Sequence, residues 1–185
     1  MSMLSKLTHF AKLERIIATV CIFMPLLLKW ADDNEPFRES ISDYVYMFNG
    51  HIYGLLLTLA SMLFVFNGTV YIKKNKRLPH SKRHGKWYNI VLGLALLGIL
   101  LFPHREYTII HYSFAALFFG GSALVIGIFN DRRHRAISIV IAAVSILGLI
   151  LYLIDESIIS LFWAEWISLF VIAIHYILES KGILD

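Results

Sequence analysis

Cysteine is almost missing from this chain: Cys21 is the only one in 185 residues. A lone thiol excludes an intramolecular disulfide and any cysteine-based metal site. Charge is scarce as well, at 16% of residues, and no HExxH motif occurs. A cleavable signal is not expected either. Residues 1–15 are mixed and basic, and the apolar run after them has no small-residue cleavage site. What the chain has in excess is apolar side chain. Hydrophobic residues make up 58%, and the mean hydropathy of +0.67 is far above that of a soluble domain. These values predict a single-domain integral membrane protein. The net charge of +4 lies in short clusters between apolar runs. It therefore speaks to membrane topology, and no nucleic-acid partner is expected.

Six apolar segments can be read, over 16–30, 48–72, 87–102, 107–129, 136–154 and 158–178. The predicted fold is all-α: one domain over 1–185, a polytopic bundle of six transmembrane helices. Pro25 falls inside the first segment, where transmembrane helices tolerate it if neighbours cover the freed carbonyl. Gly50, Gly54, Gly93, Gly98, Ala116, Gly120 and Gly121 mark expected close helix contacts.

The links carry the orientation. Lys6, Lys12 and Arg15 precede the first segment, seven Lys and Arg residues fill 73–86, and Arg132, Arg133 and Arg135 fill the fourth link. The first link instead holds Asp32, Asp33, Glu35, Glu39 and Asp43 against Arg38, and the fifth holds Asp155 and Glu156. The positive-inside rule then predicts both termini in the cytoplasm, which requires an even number of spans. The basic link 73–86 would attract anionic headgroups at about 1 kcal/mol per residue, although topology alone demands its charge.

One ionisable residue interrupts the last apolar segment. Glu165 sits about two turns into it, roughly 10 Å below the outer surface by helical rise. An acid at that depth costs several kcal/mol unless it faces helices, a partner or water, so it is the leading site candidate. His111 is placed about 6 Å deep by the same rise. With His51, His104, Asp155 and Glu156 these residues form one outer polar layer, with Ser42, Tyr44 and Tyr46 above it. The inner half offers chiefly His175 and Asn67.

Several readings of that layer compete. It could bind a lipid headgroup or another amphipathic ligand through His51, His111, Glu165, Ser42, Tyr44 and Tyr46. It could be a zinc site of His51, His111 and Glu165 in an intramembrane hydrolase, with His111, Glu165 and Asp155 in the catalytic roles. Haem between His51 and His111 is a further alternative, although the leading expectation is no cofactor. A purely structural His111–Glu165 bond locking two helices together explains the pair equally well. A channel or transporter is the third functional class, disfavoured by the expected lack of a polar path through the inner half.

The order of short motifs adds a resemblance. Ser40, Ile41, Ser42 and Tyr44 precede the second segment, Phe102 and Pro103 close the third, His111, Ala115, Phe118 and Phe119 open the fourth, and Glu165 lies in the sixth. This series resembles bacterial six-span membrane proteins similar to the damage-regulated autophagy modulator and Sfk families. Glu39 stands where those relatives usually have proline. The resemblance implies six helices, an outer polar cluster and a bacterial inner-membrane location. It also implies a non-enzymatic protein whose partners are membrane lipids or another membrane protein. Alkaline ceramidases and adiponectin-type receptors are the enzymatic comparison. They usually have seven helices and a His-x-x-x-His pair, and no apolar segment here contains such a pair.

Overall fold

The structure, a computed structural model, describes residues 3–32, 36–77, 86–128 and 135–184. Most of the basic link 73–86, with His80 and His84, lies outside the described residues or has undescribed side chains, and His134 also lies outside. The described elements are six α-helices and one short 3-10 helix. They are α1 (Met3–Ala31), the 3-10 helix Ser42–Tyr46, α2 (Gly50–Arg77), α3 (Tyr88–Leu101), α4 (Thr108–Ile128), α5 (Arg135–Ile154) and α6 (Leu161–Ser180). The all-α class is as expected. Four helices are long and apolar enough to cross a membrane: α2 over Gly50–Val70, and α4, α5 and α6 over their full lengths. The α3 helix is apolar but has only 14 residues, about 21 Å against a hydrocarbon core of roughly 30 Å. In α1 the apolar stretch is bracketed by Glu14, Arg15 and Lys29.

Several boundaries differ from the expected ones, among them the end of α2, at Arg77 rather than 72. The α1 helix begins at Met3 rather than near residue 16, because a basic segment continues a helix as readily as an apolar one. The α6 helix begins at Leu161 rather than at 158. Asp155 is the cause: its carboxylate accepts the Ser157 N–H at 2.9 Å, and its carbonyl accepts the Ile158 N–H at 3.1 Å. This side-chain turn holds Ile158 and Ile159 out of the helix despite their apolarity. Glu165 therefore lies only one turn into α6, about 6 Å from its start.

The helices form a closed ring. Each packs on its neighbour in the chain, α6 returns to α1, and α4 also touches α6. Contacts fix which ends coincide. Arg15 reaches Ser180, and Lys86 reaches both Glu14 and Glu179, so the first half of α1, the residue leading into α3 and the last turn of α6 share one end. Bonds from the first link to α6 and to the α3–α4 link mark the other.

Burial runs opposite to that of a soluble protein. In α5, the most apolar of the four long helices, 22% of the apolar window is buried, against 61% in α6. Phe48, Leu55, Ile109, Val140, Leu147 and Leu153 point outward, while Glu14, Asn67, Asn89, His111, Glu165 and His175 are enclosed. A bilayer stabilises this pattern, since it solvates apolar surface and not charge.

Several helix contacts depend on glycine. A Cβ on Gly93 would stand 2.7 Å from the Ser61 carbonyl oxygen, and one on Gly98 would stand 2.5 Å from the Phe114 ring. Ser61 uses the first approach to donate its hydroxyl to the Gly93 carbonyl at 2.7 Å. Gly120, expected at a contact, faces open space, and Gly54 only reaches Leu100 at 4.0 Å. The turn of α1 that Pro25 opens is covered from α6, where the Trp166 indole N–H donates to the Ile22 carbonyl at 3.3 Å.

Candidate functional site

The first link is more than a polar connector. Residues 36–47 turn back over the end of the bundle and bury Ser40, Ile41, Ser42, Asp43, Tyr44 and Met47. We call this segment the plug. Its local shape comes from Ser40, whose hydroxyl accepts the Asp43 N–H at 3.1 Å and bonds the Ser42 hydroxyl at 3.0 Å. The 3-10 helix follows from that turn.

A reciprocal pair of bonds joins the plug to α6. Glu165 accepts the Ile41 N–H at 2.7 Å, one of the donors that the start of the 3-10 helix leaves open. In return the Glu39 carbonyl accepts the Phe162 N–H at 2.8 Å, an open donor at the start of α6. Ser160, the residue before α6, makes no side-chain cap, so the plug backbone takes over that task. Tyr44, with 0% exposure, and Phe37 pack on Phe162.

A second set of contacts ties the plug to the α3–α4 link. The Tyr46 hydroxyl donates to Glu106 at 2.9 Å and accepts the Arg105 N–H at 3.1 Å. The Arg105 guanidinium stands 4.1 Å from the Tyr46 ring centre. Asp43 Oδ1 lies 3.4 Å from His104 Nε2 and 3.8 Å from Arg105. Neither distance makes a hydrogen bond, and both Asp43 Oδ1 and His104 Nδ1 are buried without one. The Tyr44 hydroxyl sits beside the Arg38 backbone, also without a well-formed bond. Burial raises the phenol pKa of both Tyr44 and Tyr46 above the ordinary tyrosine value.

The expected site residues are divided by this arrangement. Glu165 is buried, as expected, but it holds the plug backbone. His111 is buried too, and its Nδ1 bonds the Phe102 carbonyl at 2.8 Å while its ring meets the edge of His104. Among the described residues no hydrogen bond or ion pair joins His111 to Glu165. Ser42 and Tyr44, expected above the polar layer as ligand-binding residues, are buried inside the plug, and Tyr46 is half-buried at its edge. His51 is exposed at the start of α2, so it does not form a buried imidazole pair with His111. Asp155 is exposed in its own turn, where the two bonds from Ser157 lower its pKa. Among the described residues no three His, Cys, Asp or Glu side chains come together as metal ligands, so the zinc reading has no ligand set there.

The opposite end holds a polar layer that the sequence reading undercounted. Lys86 reaches into the bundle, pairs with Glu179 at short range and stands 3.4 Å from Glu14. His175 Nε2 lies 3.4 Å from Glu179 one turn away, and Asn89 donates to Asn67 at 2.7 Å across α2 and α3. All six are buried. Helical phase was the signal available for Glu14. It shares a face with Ala18, Cys21 and Leu28, all of them core residues.

A family model matches residues 23–180, from within α1 to the last residue of α6. The chain belongs to DUF7103, a family of unknown function. The DUF7103 match takes in the plug, His111, Glu165, Lys86, His175 and Glu179, and leaves Glu14 outside. No curated protein and no solved structure gives a significant match.

Proposed function

We propose that this protein is a non-enzymatic, six-span membrane protein with both termini in the cytoplasm of a bacterium. In this reading it binds or senses a membrane lipid, or another membrane protein, at its plugged outer end. The observation that carries it is the state of the plug. A short segment is held in the bundle mouth by two bonds to α6, the Arg38–Asp32 pair and contacts to a link, and Asp43 Oδ1 and His104 Nδ1 remain buried without hydrogen bonds in the protein. Such groups are where an amphiphile's polar head gains most, because unmade bonds there cost about 1–3 kcal/mol each. His111 supports His104 from below, and Arg105, 60% exposed at its side chain, stands at the rim as the group an anionic head meets first. Glu165 is the latch that sets how readily the plug moves. The resemblance to the damage-regulated autophagy modulator and Sfk families favours the same non-enzymatic class.

Native mass spectrometry of the protein released from its membrane tests this reading. Bound phospholipid is expected, with retention several-fold lower in His104→Ala at unchanged helicity. Equal retention in the variant, or none in the wild type, overturns the proposal. Stoichiometric zinc with lipid hydrolysis would establish the hydrolase alternative instead. Ion flux in liposomes that is lost in Glu165→Gln would establish the channel.

A further inference from the structure

Between α2, α3, α4 and α6, at the end where Lys86 meets Glu179, is a cleft with about 260 Å³ of empty space, including its part open to solvent. Its lining combines the apolar Phe64, Leu92 and Ile126 with the polar Ser122, His175 and Glu179. Its interior has room for about one water molecule. Ser122 lies about 9 Å from the end of α4 by helical rise, below the level of the ion pairs.

Two polar atoms in this lining are unsatisfied. Ser122 Oγ and His175 Nδ1 are both buried, at 3% and 6% residue exposure, and neither has a hydrogen-bond partner within the protein. His175 Nε2 faces the Glu179 carboxylate at 3.4 Å, and Nδ1 is the ring nitrogen without a protein partner. The Ser122 hydroxyl can give or take a bond, and a water can do either at both groups. The space admits only something of water's size.

We propose that this cleft is a built hydration site. One ordered water, hydrogen-bonded to Ser122 and to His175 Nδ1, joins α4 to the polar layer of Glu179, Lys86 and Glu14. The line then runs through side chains of α4, α6 and α1 and the residue that leads into α3. Its consequence is chemical access: His175 exchanges protons with water although it is enclosed. The site is separate from the plug and does not depend on the function proposed for it.

Water-edited solid-state NMR on the isotopically labelled full chain in liposomes tests this. The His175 ring, assigned by its disappearance in His175→Gln, is expected to gain magnetisation from water several-fold faster than the buried Ser145–Ser168 pair, which is satisfied internally. Ser122→Val, which puts methyl groups into the cleft, is expected to slow that transfer several-fold, and Ile172→Phe fills the same space from another wall. Transfer to His175 as slow as to the serine pair overturns the proposal. So does transfer that is unchanged in folded cleft-filling variants. The wild-type comparison alone decides the matter if a variant does not fold.

Discussion

The two ends of the bundle solve the burial of polar groups differently. At the plug end a carboxyl group meets backbone N–H, a carbonyl returns the favour to α6, and Arg38 pairs with Asp32 at 2.6 Å within one stretch of chain. At the other end, charged side chains from three separated parts of the chain meet one another inside the helices. Losing one bond of the first arrangement orphans one polar group, at about 1–3 kcal/mol. Losing one member of the second strands a charge in a low-dielectric interior. The ion layer is thus the anchor and the plug the more weakly held end.

The largest expected effect breaks the anchor. Lys86→Met should destabilise the bundle by about 3–5 kcal/mol, since Glu179 and Glu14 lose their shared cation. Thermal unfolding in detergent measures this, and Lys86→Met with Glu179→Met should cost less than the sum of the single changes. At the plug, Glu165→Leu should cost about 1–3 kcal/mol by orphaning the Ile41 N–H. Glu165→Gln, which keeps an acceptor, should cost less. The same unfolding measurement, together with faster exchange of the Ile41 amide, checks both. A Glu165→Leu loss equal to that of Lys86→Met would erase the contrast.

Overpacking tests whether the wall between the two ends is rigid. Gly98→Ala should cost about 1–3 kcal/mol, because its Cβ meets the Phe114 ring, whereas Gly120→Ala should be neutral within about 0.5 kcal/mol. The smallest effect concerns pH at the plug. The folded pKa values of Tyr44 and Tyr46 are raised by burial. Their contribution to stability is thus complete below the ordinary tyrosine value, about 10, and is lost as pH rises through the folded values. A stability profile between pH 9 and 12 should fall, and should flatten in the Tyr44→Phe, Tyr46→Phe double variant.

Much of the helical architecture was legible in the residues. Six apolar runs read as spans; four of them form helices long and apolar enough to cross a membrane, and the third forms a helix of only 14 residues. The buried acid in the last helix is visible as an exception to its surroundings. Helix boundaries were less legible where a polar side chain makes a local turn, as Asp155 does, or where a charged segment simply continues a helix, as in α1. The plug was written in Ser-Ile-Ser-x-Tyr, but its inward fold was not, since a Ser-rich acidic stretch reads equally well as an exposed link. Lys86 was hidden in a basic cluster. Nothing in its neighbours distinguishes the one lysine that turns inward.

Composition and periodicity by themselves determined that this chain makes apolar helices, because transfer of such runs to lipid is favourable whatever they touch. Which polar groups find one another is a different matter. Glu165 with Ile41, and Lys86 with Glu14 and Glu179, are separated by 72 to 124 positions along the chain, and only the closing of the ring, α6 against α1, brings them within bonding distance. Pairings of that kind depend on helix rotation and depth, and those are set by packing among all six helices and not by any one stretch of sequence.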